Sequence, residues 1–208
     1  MKVLLINGSC NENGCTYTAL KTVAENLNKH GIETEIIQIG KNALRDCIGC
    51  RACRKNGGHC IFKEDMVNEI IDKAKEADGF VFGSPVYYAH PSGRLLSFMD
   101  RLFYAGSAAF AYKPAAAVVS ARRAGTTASI DVITKYFTIN KMPVVSSNYW
   151  NMVHGNTPEE VLHDLEGLQI MQTLGDNMAW LIKCIKFAKD AGIAHPQSEE
   201  KICTNFIR

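Results

Sequence analysis

Short apolar runs alternate along this chain with stretches whose hydrophobic positions recur at helical spacing. Residues 3–6 (VLLI) form a continuous apolar run stopped by Asn7-Gly8-Ser9, the pattern of a strand buried on both faces. A polar loop leads to residues 16–30, which predict a helix ending at Gly31. Residues 33–39 alternate charged and apolar side chains around Ile36-Ile37 and predict a second strand, nearer a sheet edge. Met66, Val67, Ile70, Ile71 and Ala74 fall on one helical face, and Phe80-Val81-Phe82 predicts a third strand ended by Gly83-Ser84-Pro85. Ser92 is placed to cap a helix carrying Leu95, Leu96, Met99, Leu102 and Phe103. Residues 115–119 predict a fourth strand, 126–140 a helix and 143–146 a fifth strand. Thr157-Pro158-Glu159-Glu160 then predicts the capped start of one long final helix toward Ala191.

Strands alternating with helices predict right-handed βαβ units, hence an α/β fold with a parallel sheet and helices on both faces. The chain has no internal repeat or linker, and 208 residues suit one domain with embellishments, here a cysteine-rich insertion at 44–62. In such a sheet, ligands bind beyond the carboxyl ends of the strands where strand order reverses. Three loops qualify: 8–18, 84–91 and 120–127.

Composition narrows the field. Hydrophobic residues at 47% and charged residues at 21% allow a real core, and a net charge of +2 lacks the basic footprint of a nucleic-acid binder. No apolar run approaches the roughly 18 residues of a spanning helix, and residues 3–6 are too short for a signal-peptide core. The expectation is a cytoplasmic protein that meets neither membrane nor nucleic acid.

The first loop, GSCNENGCTYT, puts small and hydroxylated residues between a buried strand and a helix amino terminus, where free N–H groups favour a phosphate. It matches neither GxxxxGK[ST] nor GxGxxG, and an ordinary capped turn is the alternative. The second, Gly83-Ser84-Pro85-Val86-Tyr87-Tyr88, offers a rigid turn and two aromatics for a flat ring, although a Tyr-Tyr pair also serves packing. The third, Ser120-Ala121-Arg122-Arg123-Ala124-Gly125-Thr126-Thr127, offers cations to a phosphate, a nicotinamide cofactor or an acidic surface, or is simply a solvated loop.

The cysteines are the anomaly. Of eight, Cys47, Cys50, Cys53 and Cys60 fall within fourteen residues in the spacing C-x2-C-x2-C-x6-C. Three at intervals of three favour a 4Fe-4S cluster over zinc, whose sites pair two separated knuckles, while free or disulfide-forming thiols stay open. From residue 41 to 63, six basic side chains face Asp46 alone, a local net charge of +5 that suits either a cluster bound by thiolates or reactive thiols. His59, beside Cys60, and His90 read as surface or loop histidines, and Asp100-Arg101 as helix packing and ion pairing. Residues 156–176, with five acidic side chains and no Lys or Arg, follow Trp150, Met152 and His154; this stretch reads as a surface helix or as a cover for a neighbouring subunit's ligand.

Taken together, NGSCNENGCTYTA, GSPVYYAHPSG and SARRAGTTAS resemble the NADPH-dependent FMN reductase family of flavodoxin-like proteins over nearly the whole chain. With CIGCRACRKNGGHC between the second strand and the next helix, the chain is most similar to the iron-sulfur flavoproteins within that group. The resemblance implies a flavodoxin-like three-layer sandwich with a five-stranded parallel sheet in order 2-1-3-4-5. It implies FMN with its phosphate at Ser9, Asn11, Cys15, Thr16 and Thr18 and its ring against Pro85, Val86, Tyr87 and Tyr88. Ser120, Arg122, Arg123 and Gly125 complete the cofactor loops, and Cys47, Cys50, Cys53 and Cys60 are the metal ligands. Residues 10–12 hold no Arg or Lys, where relatives often carry one, so backbone N–H groups would neutralise the phosphate.

The implied activity is hydride transfer from NADPH or NADH to FMN, with electrons passed to the cluster, a quinone or another small-molecule acceptor. The flavin performs the chemistry, so no catalytic acid or base is expected. The alternatives are an electron carrier served by ferredoxin and a thiol or zinc redox sensor. Relatives assemble as dimers or tetramers, which makes a homodimer or homotetramer the expected state.

Overall fold

A computed structural model describes residues 1–197, 199–200, 202–204 and 206. Its strands are β1 (Lys2–Asn7), β2 (Glu33–Gln38), β3 (Gly79–Tyr87), β4 (His90–Pro91), β5 (Ala115–Ala121) and β6 (Met152–His154). Its α-helices are α1 (Cys15–Lys29), α2 (Val67–Glu76), α3 (Gly93–Phe110), α4 (Thr126–Ile139), α5 (Pro158–His163) and α6 (Leu165–Asp190). The parallel strands run β2-β1-β3-β5-β6, which is the order 2-1-3-4-5 when the hairpin strand β4 is set aside. None of the helices among the described residues is long and apolar enough to cross a membrane.

Both faces of the sheet are apolar, and successive side chains feed opposite layers. Leu4, Ile6, Phe80 and Phe82 point to the layer of α2, α3 and α4, where they meet Ile70, Phe98, Met99, Leu102 and Phe137. Val3, Leu5, Val81 and Val118 point to α1 and α6, where they meet Leu20, Val23, Met171, Leu174 and Met178. This double burial is why the strands read as apolar runs. Among the described residues β2 pairs only with β1 and keeps Glu33 exposed, as its charged alternation predicts for an edge.

Three expectations need correction. The fifth strand is not 143–146 but Met152–His154, paired with Val119, Ser120 and Ala121. Residues near 144 touch the start of β5 through a single bridge, Ala115 to Val144, flanked by Ala115 N–H to Pro143 O at 2.9 Å and Val145 N–H to Ala115 O at 2.9 Å. Proline supplies no N–H to extend this stub, and the chain leaves the sheet before rejoining at Met152. The final helix is likewise two helices. Asp164, at φ −79° and ψ 76°, ends α5 and caps α6 by accepting from Gly167 N–H; its other oxygen accepts His154 N–H at 2.7 Å, so the break also locks β6. Finally, β3 does not stop at Phe82: Ser84 and Pro85 pair with Val119 and Ser120, and Val86 and Tyr87 turn back in a hairpin with β4.

Candidate functional site

The three polar loops leave the carboxyl ends of β1, β3 and β5 and interlock. Gly8 N–H donates to Gly83 O at 2.8 Å, and a Cβ on Gly8 would lie 2.7 Å from that oxygen and 2.9 Å from Leu95 Cβ. Only glycine fits this approach of loop one to β3. Ser92 Oγ donates to Gly8 O at 2.9 Å while accepting from Leu95 N–H as the cap of α3, so α3 starts against the same loop. Ser92 N–H in turn donates to Ser84 Oγ at 2.9 Å.

Within loop one, Ser9 Oγ accepts Asn11 N–H at 3.0 Å and Ser9 N–H donates to Asn7 Oδ1 at 3.1 Å. From β2, Gln38 Nε2 donates to Ser9 O at 2.7 Å. The loop therefore holds its shape with its own polar groups. α1 then begins at Gly14 with no side-chain cap and no acidic residue in its first turn, leaving N–H groups and the positive helix end for an anion.

The expected phosphate residues divide by role. Ser9 is buried and shapes the loop, whereas Asn11 is exposed at its tip. Thr16 is buried, and its hydroxyl pairs with Ser120 Oγ at 2.8 Å, tying loop one to loop three. Thr18 Oγ1 donates back to Gly14 O at 3.3 Å. Cys15 Sγ donates to Gly155 O at 3.6 Å, and burial pushes its thiol up, helped by Glu160 and Glu159. Cys15 and Thr16 lie in the first turn of α1, where backbone N–H groups lack an intrahelical acceptor, whereas Thr18 N–H already donates to Gly14 O at 3.0 Å.

Loop two is a hairpin tip. Tyr88 and Ala89 sit at φ 50° and 60° between paired Tyr87 and His90, a two-residue turn ordinarily built from Asn and Gly. Non-glycine residues in this region carry backbone strain, which collects at functional sites. Gly125, at φ 92°, closes against the tip: a Cβ there would lie 2.5 Å from Ala89 Cα and 2.8 Å from Val86 Cγ1. Pro85 and Val86 are half-buried and Tyr87 and Tyr88 exposed, so the hairpin presents a partly apolar wall beside loop one. Cys10 Sγ lies 3.8 Å from Tyr87 Oη across the opening, and burial, then Cys10, hold the Tyr87 phenol above its ordinary range. Arg122 and Arg123 stand exposed on loop three. Sequence reading gave no role to Cys10, whose partner is far along the chain.

The cysteine-rich stretch lies in the long connection between β2 and α2, whose helical content is one 3-10 turn, Ala52–Arg54. Cys47, Cys50, Cys53 and Cys60 form no disulfide and line one cavity of about 310 Å³, together with Phe62, Arg101 and Tyr104. Among the described residues no three His, Cys, Asp or Glu side chains converge on a single ion position. Thiolates around one tetrahedral zinc would stand about 3.8 Å apart, whereas a shared cavity suits a polynuclear centre that spaces its ligands more widely. The donor set and the cavity fit an iron-sulfur cluster.

What holds this stretch is one stripe of α3, at positions 94, 97, 101 and 104. Arg94 donates to the carbonyls of Lys41 and Asn42, Ser97 to Asp46, and Arg101 to Cys60, Arg45, Phe62 and Asp65. Tyr104 O accepts from Cys53 Sγ at 3.5 Å. Intervals of three and four put all of these on one helix face. From α2, Asn68 accepts Cys60 N–H at 2.7 Å and donates to Cys60 O and Phe62 O. Ser92, at the end of α3 that meets loops one and two, and Arg101 at the cavity are nine residues apart, about 14 Å along the helix.

A family model described as NADPH-dependent FMN reductase matches residues 1–157. The chain belongs to this family. It is 35% identical over 194 residues to an iron-sulfur flavoprotein of Methanocaldococcus jannaschii, across 89% of this chain and 100% of that one. A second such flavoprotein, from Methanosarcina thermophila, is 27% identical over 195 residues, across 91% of this chain and 100% of that one. Among solved structures, a flavone reductase superposes with a TM-score of 0.68 at 19% identity, covering 90% of this chain and 65% of that one. A flavodoxin from the domain Archaea superposes at 0.59 with 17% identity, covering 88% and 99%. These two likenesses establish the flavodoxin-like fold of this FMN reductase family member.

Proposed function

We propose that this chain is an FMN-dependent oxidoreductase carrying a 4Fe-4S cluster on Cys47, Cys50, Cys53 and Cys60. The observation that carries the reading is that these four thiols line one cavity against α3, the helix whose cap, Ser92, bonds to Gly8 and Ser84 in the flavin loops. When bound, FMN exchanges a hydride with NAD(P)H or single electrons with a partner, and the cluster stores single electrons.

The chain's own part is binding and orientation. The uncapped first turn of α1 and the N–H groups of loop one hold the phosphate, compensating for the missing Arg or Lys at 10–12. Gly8 lets that loop reach β3, and the Thr16–Ser120 pair fixes loop three against it. Pro85, Val86 and the strained turn at Tyr88 and Ala89 form the wall along the ring, with Gly125 closed behind. Arg122 and Arg123, exposed on loop three, are the cations that would meet the phosphates of a nicotinamide cofactor. A groove between α3 and α4 opens beside the cysteine cavity, sharing Cys53, Arg54, Tyr104 and Ala105 with it, and gives an electron acceptor a route to the cluster. Residues 41–63 keep their cations exposed at positions 41, 45, 51, 54, 55 and 63, where they offset the charge of bound thiolates.

Cys50 is the exposed cysteine of the four, and its replacement tests the ligand set with least disturbance of packing. C50S is expected to lose most of its iron and sulfide while keeping FMN, measured by metal, sulfide and flavin assays on one preparation. Iron unchanged from wild type would sink the assignment.

A further inference from the structure

The reading above leaves one feature unexplained, a guanidinium buried inside the cysteine cavity wall. Arg101 is 1% exposed and heads the large, fully buried side chains. Burying such a charge is costly unless it is paired and all its donors are used. Both conditions are met: Nε donates to Cys60 Sγ at 3.3 Å, Nη1 to Asp65 and to Arg45 O at 3.5 Å, and Nη2 to Asp65 Oδ1 at 3.2 Å and Phe62 O at 3.3 Å. The guanidinium carbon also lies 5.3 Å over the Phe62 ring.

Charge balance accounts for the two bonds to Asp65, and the carbonyls fix the chain on either side of the insertion. The Nε–H aimed at a sulfur is different, because a thiol is a weak acceptor and a thiolate a strong one. Cys60 is also the cysteine set apart by six residues from the C-x2-C-x2-C run, so its position is not given by the local turn that places the others. Asn68 fixes its backbone from α2, and Arg101 fixes its sulfur from α3.

We propose that Arg101 is a positioning residue for the cluster: its Nε–H holds Cys60 Sγ toward the cavity and, with its fixed positive charge, raises the cluster's reduction potential. Hydrogen bonds to ligand sulfurs and nearby positive charge stabilise the more negative reduced state. The inference rests on the cluster reading of the preceding section. Among the described residues no other basic side chain lining the cavity is buried: Arg51 and Arg54 are exposed.

The test compares wild type, R101K and R101Q, reconstituted anaerobically with iron and sulfide. Three quantities are read on each: the cluster potential by dye-mediated titration, the resonance spectrum of the reduced cluster, and the rate of iron loss to a chelator. R101Q is expected to titrate at a lower potential and to retain iron about tenfold less well, the usual scale for a group bonded to a ligand. R101K keeps the charge without the planar fork and is expected between the two. FMN content should not change, since the flavin loops meet the other end of α3.

Loaded variants with the wild-type potential, spectrum and iron retention would overturn the proposal. Should R101Q fail to fold by circular dichroism, R101K decides alone, and wild-type behaviour there overturns it equally. Wild-type protein that holds no iron or sulfide after reconstitution would remove the cluster reading and this inference together, a result distinct from equality among loaded proteins.

Discussion

Replacing Asp65 with alanine is expected to lower the unfolding free energy by about 3–5 kcal/mol, the scale for stripping one partner from a buried ion pair. Asp65 is the charged partner of Arg101, with side-chain exposures of 13% and 1%. Without it the guanidinium keeps only carbonyls and the Cys60 sulfur, none of which neutralises a full charge out of water. Asp65 Oδ1 also accepts Val67 N–H at 3.2 Å at the start of α2, so D65A loses a helix-end bond as well. D65N retains an acceptor and should lose less. The double variant D65A/R101M should recover part of the loss, because an apolar side chain of similar length carries no desolvation penalty. Denaturant unfolding of the four proteins checks this. A loss in D65A below about 1 kcal/mol would mean the pair behaves like a solvated surface bridge.

Gly8→Val is expected to weaken FMN binding at least about tenfold, or ~1.4 kcal/mol, while leaving iron content near wild type. The branched side chain enters space already held by Gly83 O at 2.7 Å and Leu95 Cβ at 2.9 Å from its first carbon. Overpacking of this kind costs about 1–3 kcal/mol and is relieved by backbone movement. The movable element is loop one, since β3 is paired on both sides by β1 and β5. Lifting that loop breaks the Gly8–Gly83 bond and displaces the N–H groups that face the phosphate. The cysteine stretch is held by the 94, 97, 101 and 104 stripe of α3 and should not follow. Flavin titration of the apoprotein measures the effect, and wild-type affinity would contradict a phosphate site at this loop.

The parallel sheet and its helices were legible because burial on both faces leaves unbroken apolar runs at 3–6, 80–82 and 115–119. The elements misplaced are those whose placement depends on partners distant in the chain. The stub near Val144 is as apolar as a strand, yet Pro143 cannot extend its pairing, and Met152–His154 takes the edge because Ala121 lies beside it. The end of α5 at Asp164 was invisible because the reason for it, the His154 N–H, belongs to another element. Ser84 and Pro85 look like a strand terminator in sequence, but β5 pairs with them.

The same limit applies to the site. The four cysteines announce themselves by spacing, and the loop glycines by their position after strands. Arg101 was readable as an ion-pairing residue, but its aim at Cys60, 41 positions away, is a property of the folded chain. The stripe of Arg94, Ser97, Arg101 and Tyr104 is spaced for one helix face, and that periodicity is a usable sequence signal once the face is known to be polar. Thr16 belongs to the first turn of α1, and its hydroxyl pairs with Ser120, a partner 104 positions away that no local pattern announces.

The most direct measurement is the visible absorption spectrum of anaerobically purified protein, with iron, sulfide and zinc assays, before and after NADPH or NADH. The predicted result is flavin bands that bleach on adding nicotinamide, with about four irons and four sulfides per chain. A colourless protein that cannot be reconstituted with FMN, or one that holds zinc without iron, would contradict it.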